Sequence, residues 1–102
     1  MLKILQINYR LKSPLADFLR ESEPVAELLA NIQGLRWKIW LKNENESEGG
    51  GLYLFETESA LKGFLGSPII GKLRAHPAIS EVSIKEFDIP FELSAVTNAP
   101  IS

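Results

Sequence analysis

The sequence predicts an α+β fold whose elements follow one another in the order β-α-β-β-α-β. Apolar side chains alternate with a period of two in four stretches, and they recur every three or four residues in the two segments between. One of the strands, residues 52–55, reads Leu-Tyr-Leu-Phe and is apolar on both faces, because successive side chains of a strand point to opposite sides. A strand of that kind requires a sheet that is covered on both sides.

The composition is that of a small globular protein. The 102 residues are 45% hydrophobic and 24% charged, which predicts one folded domain over 1–102, with a core at about 2–89 and a tail at 90–102. The net charge of -2 includes no basic stripe, which argues against nucleic acid as a partner. Cysteine is absent, so disulfides and thiolate chemistry are excluded. The apolar run at 1–5 is too short for a leader or a membrane span, so we expect a soluble, cytoplasmic protein with no membrane partner.

The first strand is predicted at 2–10 and leads into a helical segment. One face of the strand carries Leu5, Ile7 and Tyr9, and the other carries Ile4, Gln6 and Asn8. Ser13 and Pro14 indicate a helix start, since a serine oxygen can cap the first turn and proline suits the first helical position. The apolar stripe that follows keeps its phase across Pro24, which predicts either one bent helix or two helices in register. Gly34 is a natural stop.

Two further strands are predicted at 35–42 and 51–56, joined as a hairpin. The segment 43–48 between them has no apolar side chain, and the glycines at 49–51 indicate a flexible turn. Alternation divides the side chains of the first of these strands into two sets. Leu35, Trp37, Ile39 and Leu41 share one face, and Arg36, Lys38 and Trp40 share the other.

The second helical segment begins after Thr57, a capping residue, and restarts at Ser67-Pro68. Pro77 ends it, and a last strand is predicted at 79–89 before the tail. The complete order predicts the ferredoxin-like split β-α-β arrangement, a four-stranded antiparallel sheet with both helical segments on one face.

The face of the sheet opposite the helices is predicted to be apolar and uncovered. Ile4 lies opposite the side of Leu5 and Ile7, and the second strand has apolar side chains on both of its faces, so either face would add to the patch. An apolar patch of this extent marks an interface, and a second copy packed face to face would cover it. The sequence therefore predicts a two-fold homodimer. The alternative is a monomer whose long side chains fold over a partly apolar sheet.

Three stretches of the chain are shared with a known family. They are Trp37-Lys38-Ile39-Trp40, Gly49-Gly50-Gly51-Leu52-Tyr53-Leu54-Phe55 and Ser59-Ala60-Leu61. With them the chain resembles the YdhR-like monooxygenase family of the dimeric α+β barrel superfamily. The resemblance implies a ferredoxin-like protomer, a homodimer whose sheets form a barrel, and a cavity between each sheet and its own helices. The superfamily includes cofactor-independent oxygenases of aromatic substrates, haem-degrading enzymes, lactone isomerases and members without an established activity. The family can have a histidine where this chain has Asn8, which does not titrate.

The candidate site consists of five polar or aromatic side chains on the sheet. Asn8 and Lys38 are the predicted catalytic residues, because Asn8 could hydrogen-bond a phenol or enolate oxygen and Lys38 could stabilise its anion. Gln6, Trp40 and Tyr53 are the predicted substrate-binding residues, since a buried amide can orient a ligand and aromatic rings can stack on it. For Lys38 the alternative is a side chain that snorkels at the sheet edge, and for the aromatic rings it is packing alone.

Other chemistry finds less support in the sequence. His76 is the only histidine, so it has no partners of the kind that zinc or iron needs. There is no G-x-S-x-G motif, and the glycines at 49–51 lack the lysine of a phosphate loop. The resemblance therefore implies a cofactor-independent monooxygenase that acts on a small aromatic or polycyclic substrate, and we expect no metal and no cofactor. The alternative is a non-catalytic protein of the same fold that binds a small apolar ligand.

Overall fold

The computed structural model describes all 102 residues as four strands and five helices. The elements are β1 Lys3–Leu11, α1 Leu15–Glu21, α2 Glu23–Ala30, β2 Leu35–Asn43, β3 Glu48–Phe55, α3 Glu58–Leu65, α4 Pro68–Ala75, β4 Ile79–Asp88 and α5 Phe91–Val96. The strands form one antiparallel sheet in the order β2-β3-β1-β4. The predicted α+β, ferredoxin-like arrangement is confirmed, with each predicted helical segment divided into two short helices. None of these helices has the length and apolar character that crossing a membrane would need.

The first helical segment is two helices rather than one bent helix. They meet at Ser22, which ends α1 and precedes α2. Pro24 lies in the first turn of α2, where its missing N–H breaks no helical hydrogen bond. The predicted cap at Ser13 is wrong: α1 begins at Leu15 after Pro14, and no side chain caps it.

The second segment starts as the sequence predicts. Thr57 Oγ1 accepts a hydrogen bond from the backbone N–H of Ala60 at 3.1 Å, which caps α3. Pro68 occupies the first position of α4, but Ser67 makes no capping bond with its side chain. Its hydroxyl is instead buried without a hydrogen-bond partner in the protein. The strand that follows, β4, lies within one residue of its predicted end.

The hydrophobic core lies between the sheet and the helices. The strands contribute Leu5, Ile7, Tyr9, Leu11, Tyr53, Phe55 and Ile79, and the helices contribute Phe18, Leu29, Leu61, Phe64 and Ile70. Three of the aromatic rings pack together, with the Tyr53 and Phe55 centroids 5.2 Å and 5.5 Å from that of Phe64. The predicted alternation of β1 and β3 is therefore confirmed, since the side chains predicted to share a face of each strand lie together in the core.

Two predictions about the hairpin are wrong. The glycines at 49–51 lie inside β3, paired with Tyr9, Asn8 and Ile7 in turn, and are not part of the turn. Leu35 faces the helices, not the opposite side, because the register shifts between Leu35 and Trp37. Arg36 is the extra residue in this bulge, which reverses the facing of the strand before it.

The C-terminal tail has structure that the sequence did not predict. It contains α5, and beyond it the backbone runs beside β2. Trp37 Nε1 donates to the carbonyl oxygen of Pro100 at 2.9 Å, and Arg36 donates to that of Ser102 at 2.6 Å. Ile101 is buried, as is Leu54, which is paired with Trp37 in the sheet. The tail thus covers part of the sheet face opposite the helices, which we call the outer face.

Candidate active-site cleft

A cleft of about 260 Å³ lies between α2 and the edge strand β2. Its lining is Ala26, Leu29, Ala30, Leu35, Arg36, Trp37, Lys38 and Trp40. Ala26 and Ala30 are one helical turn apart in α2, so two small side chains follow each other along the same face of the helix. Their size leaves space that leucine would fill. The volume is slightly below the 300–1,000 Å³ that is typical of pockets for drug-sized ligands, so the cleft suits a small one.

Lys38 contributes the one amine in this lining. Its Nζ lies 3.3 Å from the centroid of a Trp40 ring and 4.7 Å from that of Tyr53. It takes part in none of the protein's ion pairs. The side chain therefore lies along the sheet against aromatic faces and does not extend into bulk water.

Burial lowers the pKa of Lys38 to about 7, because the ammonium loses hydration and gains no carboxylate in return. The aromatic faces of Trp40 and Tyr53 act in the opposite direction, since their electron density attracts a cation. The loss of hydration outweighs this attraction, so the net effect is a lowered pKa of Lys38. A lysine in this condition can exchange a proton near neutral pH, which an exposed lysine cannot.

Gly51 is what allows Lys38 to take this position. Lys38 is paired with Tyr53, and Trp40 with Gly51, so the missing side chain of Gly51 leaves a gap beside them. A Cβ built on Gly51 would lie 2.5 Å from Lys38 Cε and 3.0 Å from Tyr53 Cε1. The glycine run thus has a packing function, in addition to any effect on the hairpin.

Tyr53 closes the inner side of this group. Its ring belongs to the buried aromatic cluster with Phe55 and Phe64. Tyr53 does not line the cleft itself, but its ring lies next to the amine of Lys38, which does. Burial raises the pKa of Tyr53 and raises the pKa of Tyr9 to about 12. Both phenols therefore remain neutral at physiological pH and cannot serve as bases there.

Gln6 and Asn8 lie on the outer face, away from the cleft. They form a hydrogen bond with each other, from Gln6 Nε2 to Asn8 Oδ1 at 2.9 Å. Cross-strand pairing puts Asn8 opposite Gly50 and Gly50 opposite Leu41, all on the face that Lys38 does not share. Asn8 also lines a shallow depression of about 160 Å³ at that end of the sheet.

Of the five predicted site residues, the structure brings together Lys38, Trp40 and Tyr53. Gln6 and Asn8 form a separate pair, so one ligand in the cleft does not touch Asn8 and Lys38 at once. The sequence reasoning missed Ala26, Ala30 and Gly51, whose contribution is the space they leave. The alanine pair, one turn apart in a leucine-rich helix, was the available signal.

A family model described as "Putative mono-oxygenase ydhR" matches residues 4–100 of the chain. The match covers nearly the whole sequence, and the chain belongs to this family. Its monooxygenase character is therefore supported at the level of the family, in agreement with the resemblance seen in the sequence. A comparison with curated proteins gives no significant match.

Several solved structures share the fold. SnoaB from Streptomyces nogalater, a cofactor-independent oxygenase, has a TM-score of 0.69 and 15% identity, over 86% of this chain and 92% of that one. A monooxygenase from the gene ActVA-Orf6 of Streptomyces coelicolor, in complex with Nanaomycin D, has a TM-score of 0.67 and 12% identity, over 85% and 86%. The haem degrader MhuD of Mycobacterium tuberculosis, with two haems bound, has a TM-score of 0.64 and 19% identity, over 85% and 95%. At these identities the likeness concerns the fold alone.

Proposed function

We propose that this member of the ydhR family is a cofactor-independent monooxygenase, and that it binds a small aromatic or polycyclic hydroxy compound in the cleft between α2 and β2. The observation that carries the proposal is the amine of the half-buried Lys38, which lies beside Trp40 at the cleft and has no ion pair. A base with a pKa near the working pH is well matched to the removal of a phenolic or enolic proton. The fold-level likeness to SnoaB and to the ActVA-Orf6 monooxygenase supports the proposal by analogy.

In the proposed reaction the neutral Lys38 amine takes the proton of the substrate hydroxyl. The resulting ammonium remains beside the new oxyanion, and the loss of water from the cleft strengthens their attraction. Trp40 offers a ring face on which the substrate can stack. The anion is electron-rich and transfers electrons to dioxygen directly.

The electrons balance without an added reductant. For a substrate with a methylene next to its aromatic rings, the methylene becomes a carbonyl. One oxygen atom of dioxygen enters the product, the other leaves as water, and the two methylene hydrogens leave in that water. The chain's own residues supply proton transfer, orientation and exclusion of solvent.

We also propose that the protein acts as a homodimer through the outer face. Ile39 and Phe87 point to that face and are 48% and 45% exposed in the single chain, and three apolar residues of the tail are exposed as well. These are Phe91, Leu93 and Val96. A second copy is an occupant of matching chemistry, since two such faces are apolar and self-complementary. In that dimer Gln6 and Asn8 lie near the interface, where their mutual hydrogen bond satisfies one donor and one acceptor.

A non-catalytic ligand-binding protein is the second candidate. The small size of the cleft favours it, together with the absence of Asn8 from its lining, because Lys38 is left without a neutral hydrogen-bonding partner there. Binding of an apolar ring would need only the alanine, leucine and tryptophan walls.

Oxygen consumption distinguishes the two candidates. The purified protein is mixed with a panel of phenols and anthrones, and dioxygen uptake is measured with product identification. We expect turnover that falls about 100-fold or more in Lys38→Met, as is typical when a group that stabilises a developing anion is removed. Lys42→Met is the matched control, since Lys42 is an exposed lysine further along β2 and should leave turnover unchanged. Binding without uptake across the whole panel would favour the second candidate.

A further inference from the structure

We infer that Lys38 also forms a reversible imine with aromatic aldehydes and ketones that enter the cleft. The ligand class is an aryl carbonyl compound with one or two rings. This covalent binding uses the same cleft as the proposed oxygenase reaction but needs no dioxygen and no acidic hydroxyl on the ligand. It therefore stands or falls independently of the proposed function.

The surroundings of Lys38 distinguish it from the other lysines of the chain. Lys12, Lys42, Lys62, Lys72 and Lys85 are exposed. Lys3 is half-buried but holds the carboxylate of Asp88 at 2.9 Å, which favours its charged form. Lys38 is half-buried and has no carboxylate, and its lowered pKa leaves a substantial neutral fraction at physiological pH.

The walls of the cleft fit an aryl group attached to that amine. Ala26, Leu29 and Ala30 on α2 are apolar and leave the open volume next to Lys38. The indole of Trp40 lies directly below Nζ, where the flat, conjugated C=N unit could stack. When the imine is protonated, the same ring face stabilises the iminium as it does the ammonium.

The chemical step balances without any other reactant. The nitrogen lone pair adds to the carbonyl carbon to give a carbinolamine. The C–O bond then breaks, a C=N bond forms, and the carbonyl oxygen leaves as water with both amine hydrogens. Because water is a product, an apolar cleft that excludes it shifts the equilibrium toward the imine.

Reductive trapping tests the inference. The protein is incubated without dioxygen at pH 7 with 2-naphthaldehyde and sodium cyanoborohydride, which reduces an imine to a stable secondary amine. Intact mass spectrometry reports the number of naphthylmethyl groups added, and peptide mapping locates them. We expect a single early addition to a lysine, at Lys38, forming at least about tenfold faster than addition at Lys42, because a neutral and desolvated amine is the better nucleophile. The exposed α-amine of Met1 can react under the same conditions, and the peptide map counts its label separately.

Three comparisons make the result decisive. Lys38→Met should abolish the early addition, whereas Lys42→Met should leave it unchanged. If Lys38→Met does not fold, the peptide map of the unaltered protein still gives the position of the label. Raising the pH to 10 should reduce the preference for Lys38 over Lys42, since lysine amines in general become partly neutral at that pH. Labelling that is spread evenly over the exposed lysines at pH 7, or that spares Lys38, would overturn the inference.

Discussion

The polar side chains on the two faces of the sheet have different contacts. On the helix side, Lys38 is held against aromatic rings with no ion pair, beside a cleft. On the outer face, Gln6 and Asn8 hydrogen-bond each other. An unsatisfied group in a low-polarity environment is available to a ligand, whereas a satisfied pair is not. The comparison supports the two proposals, which place the reaction on the helix side and the dimer contact on the outer face.

The glycine run of β3 contributes differently to the two faces. Gly51 points to the helix side, where a Cβ would meet the flexible end of Lys38. Gly50 points to the outer face, where a Cβ would meet the backbone carbonyl oxygen of Ile7. A lysine side chain can move aside, but a paired strand cannot without losing hydrogen bonds. Gly51 therefore leaves space for the side chain of Lys38, and Gly50 allows β1 and β3 to pair.

The largest expected effect is that of Gly50→Ala. The new methyl group clashes with the backbone of β1, so the β1–β3 pairing must shift, and we expect a loss of about 3 kcal/mol or more in the free energy of unfolding. Gly51→Ala is the comparator, with a loss of about 1 kcal/mol, because Lys38 can rotate away. Chemical denaturation followed by circular dichroism measures both. Equal losses would show that the two glycines do not differ in the way that the structure indicates.

The next effect concerns the outer face. Ile39→Asp adds a charge to the proposed interface at a position that is 48% exposed in the single chain, so the protomer should still fold. We expect the dimer dissociation constant to rise roughly 100-fold, since two desolvated carboxylates would face an apolar surface. Sedimentation velocity over a dilution series measures it. Lys42→Asp, an exposed position on the same strand, is the control. A single species near 11.4 kDa for the unaltered protein at micromolar concentration would contradict the dimer itself.

The stability of the protein should depend on pH through Lys38. Its pKa is lowered from 10.5 to about 7 in the folded state, so between these values the unfolded chain binds more protons than the folded one. The free energy of unfolding must then increase as the pH rises through this window, and below pH 7 this gain is absent. The raised pKa values of Tyr9 and Tyr53 act in the opposite direction, but only as the pH approaches 10, where these phenols ionise in the unfolded chain.

Lys38→Met tests that dependence, because methionine keeps an unbranched chain and removes the amine. We expect the variant to be more stable than the unaltered protein by on the order of 2 kcal/mol at pH 7, after allowance for the lost aromatic contact. The difference should shrink as the pH approaches 10.5. Urea titrations at fixed protein concentration measure it, since a dimer's stability depends on concentration. A difference that stays constant with pH would mean that the lysine is charged in the folded protein.

Periodicity was enough to predict the sheet, the order of the elements along the chain and which side chains share a face of β1 and of β3. The side chains of those strands alternate without interruption, so one correct assignment fixes the rest. Leu35 was assigned to the wrong face, because one extra residue at Arg36 shifts the register and leaves no mark on the pattern. The tail was also missed, since α5 has only six residues and its packing depends on distant contacts to β2.

The candidate site was predictable in part. Lys38 and Trp40 share a face by simple alternation, and Tyr53 joins them through pairing of β2 with β3. Asn8 is predicted from the hydrogen-bonding chemistry of its side chain and not from its position, because sequence alone does not show which faces of β1 and β2 coincide. The cleft exists because the side chains of Ala26 and Ala30 are small. A search of the sequence for functional groups does not detect such a space.

The smallest expected effect is that of Asn8→Leu, and it tests the comparison of the two faces most directly. Leucine removes the acceptor that Gln6 Nε2 uses, and the half-buried amide can turn to water, so the loss of stability should stay at about 1 kcal/mol. Because Asn8 does not line the cleft, we expect dioxygen uptake and imine trapping to stay within about twofold of the unaltered protein, well inside the change that losing a catalytic donor produces. Gln6→Leu, which removes the donor of the same pair, should behave alike. A loss of turnover in Asn8→Leu comparable with that of Lys38→Met, in a protein that remains dimeric, would show that the outer face takes part in the reaction and would end the division between the two faces.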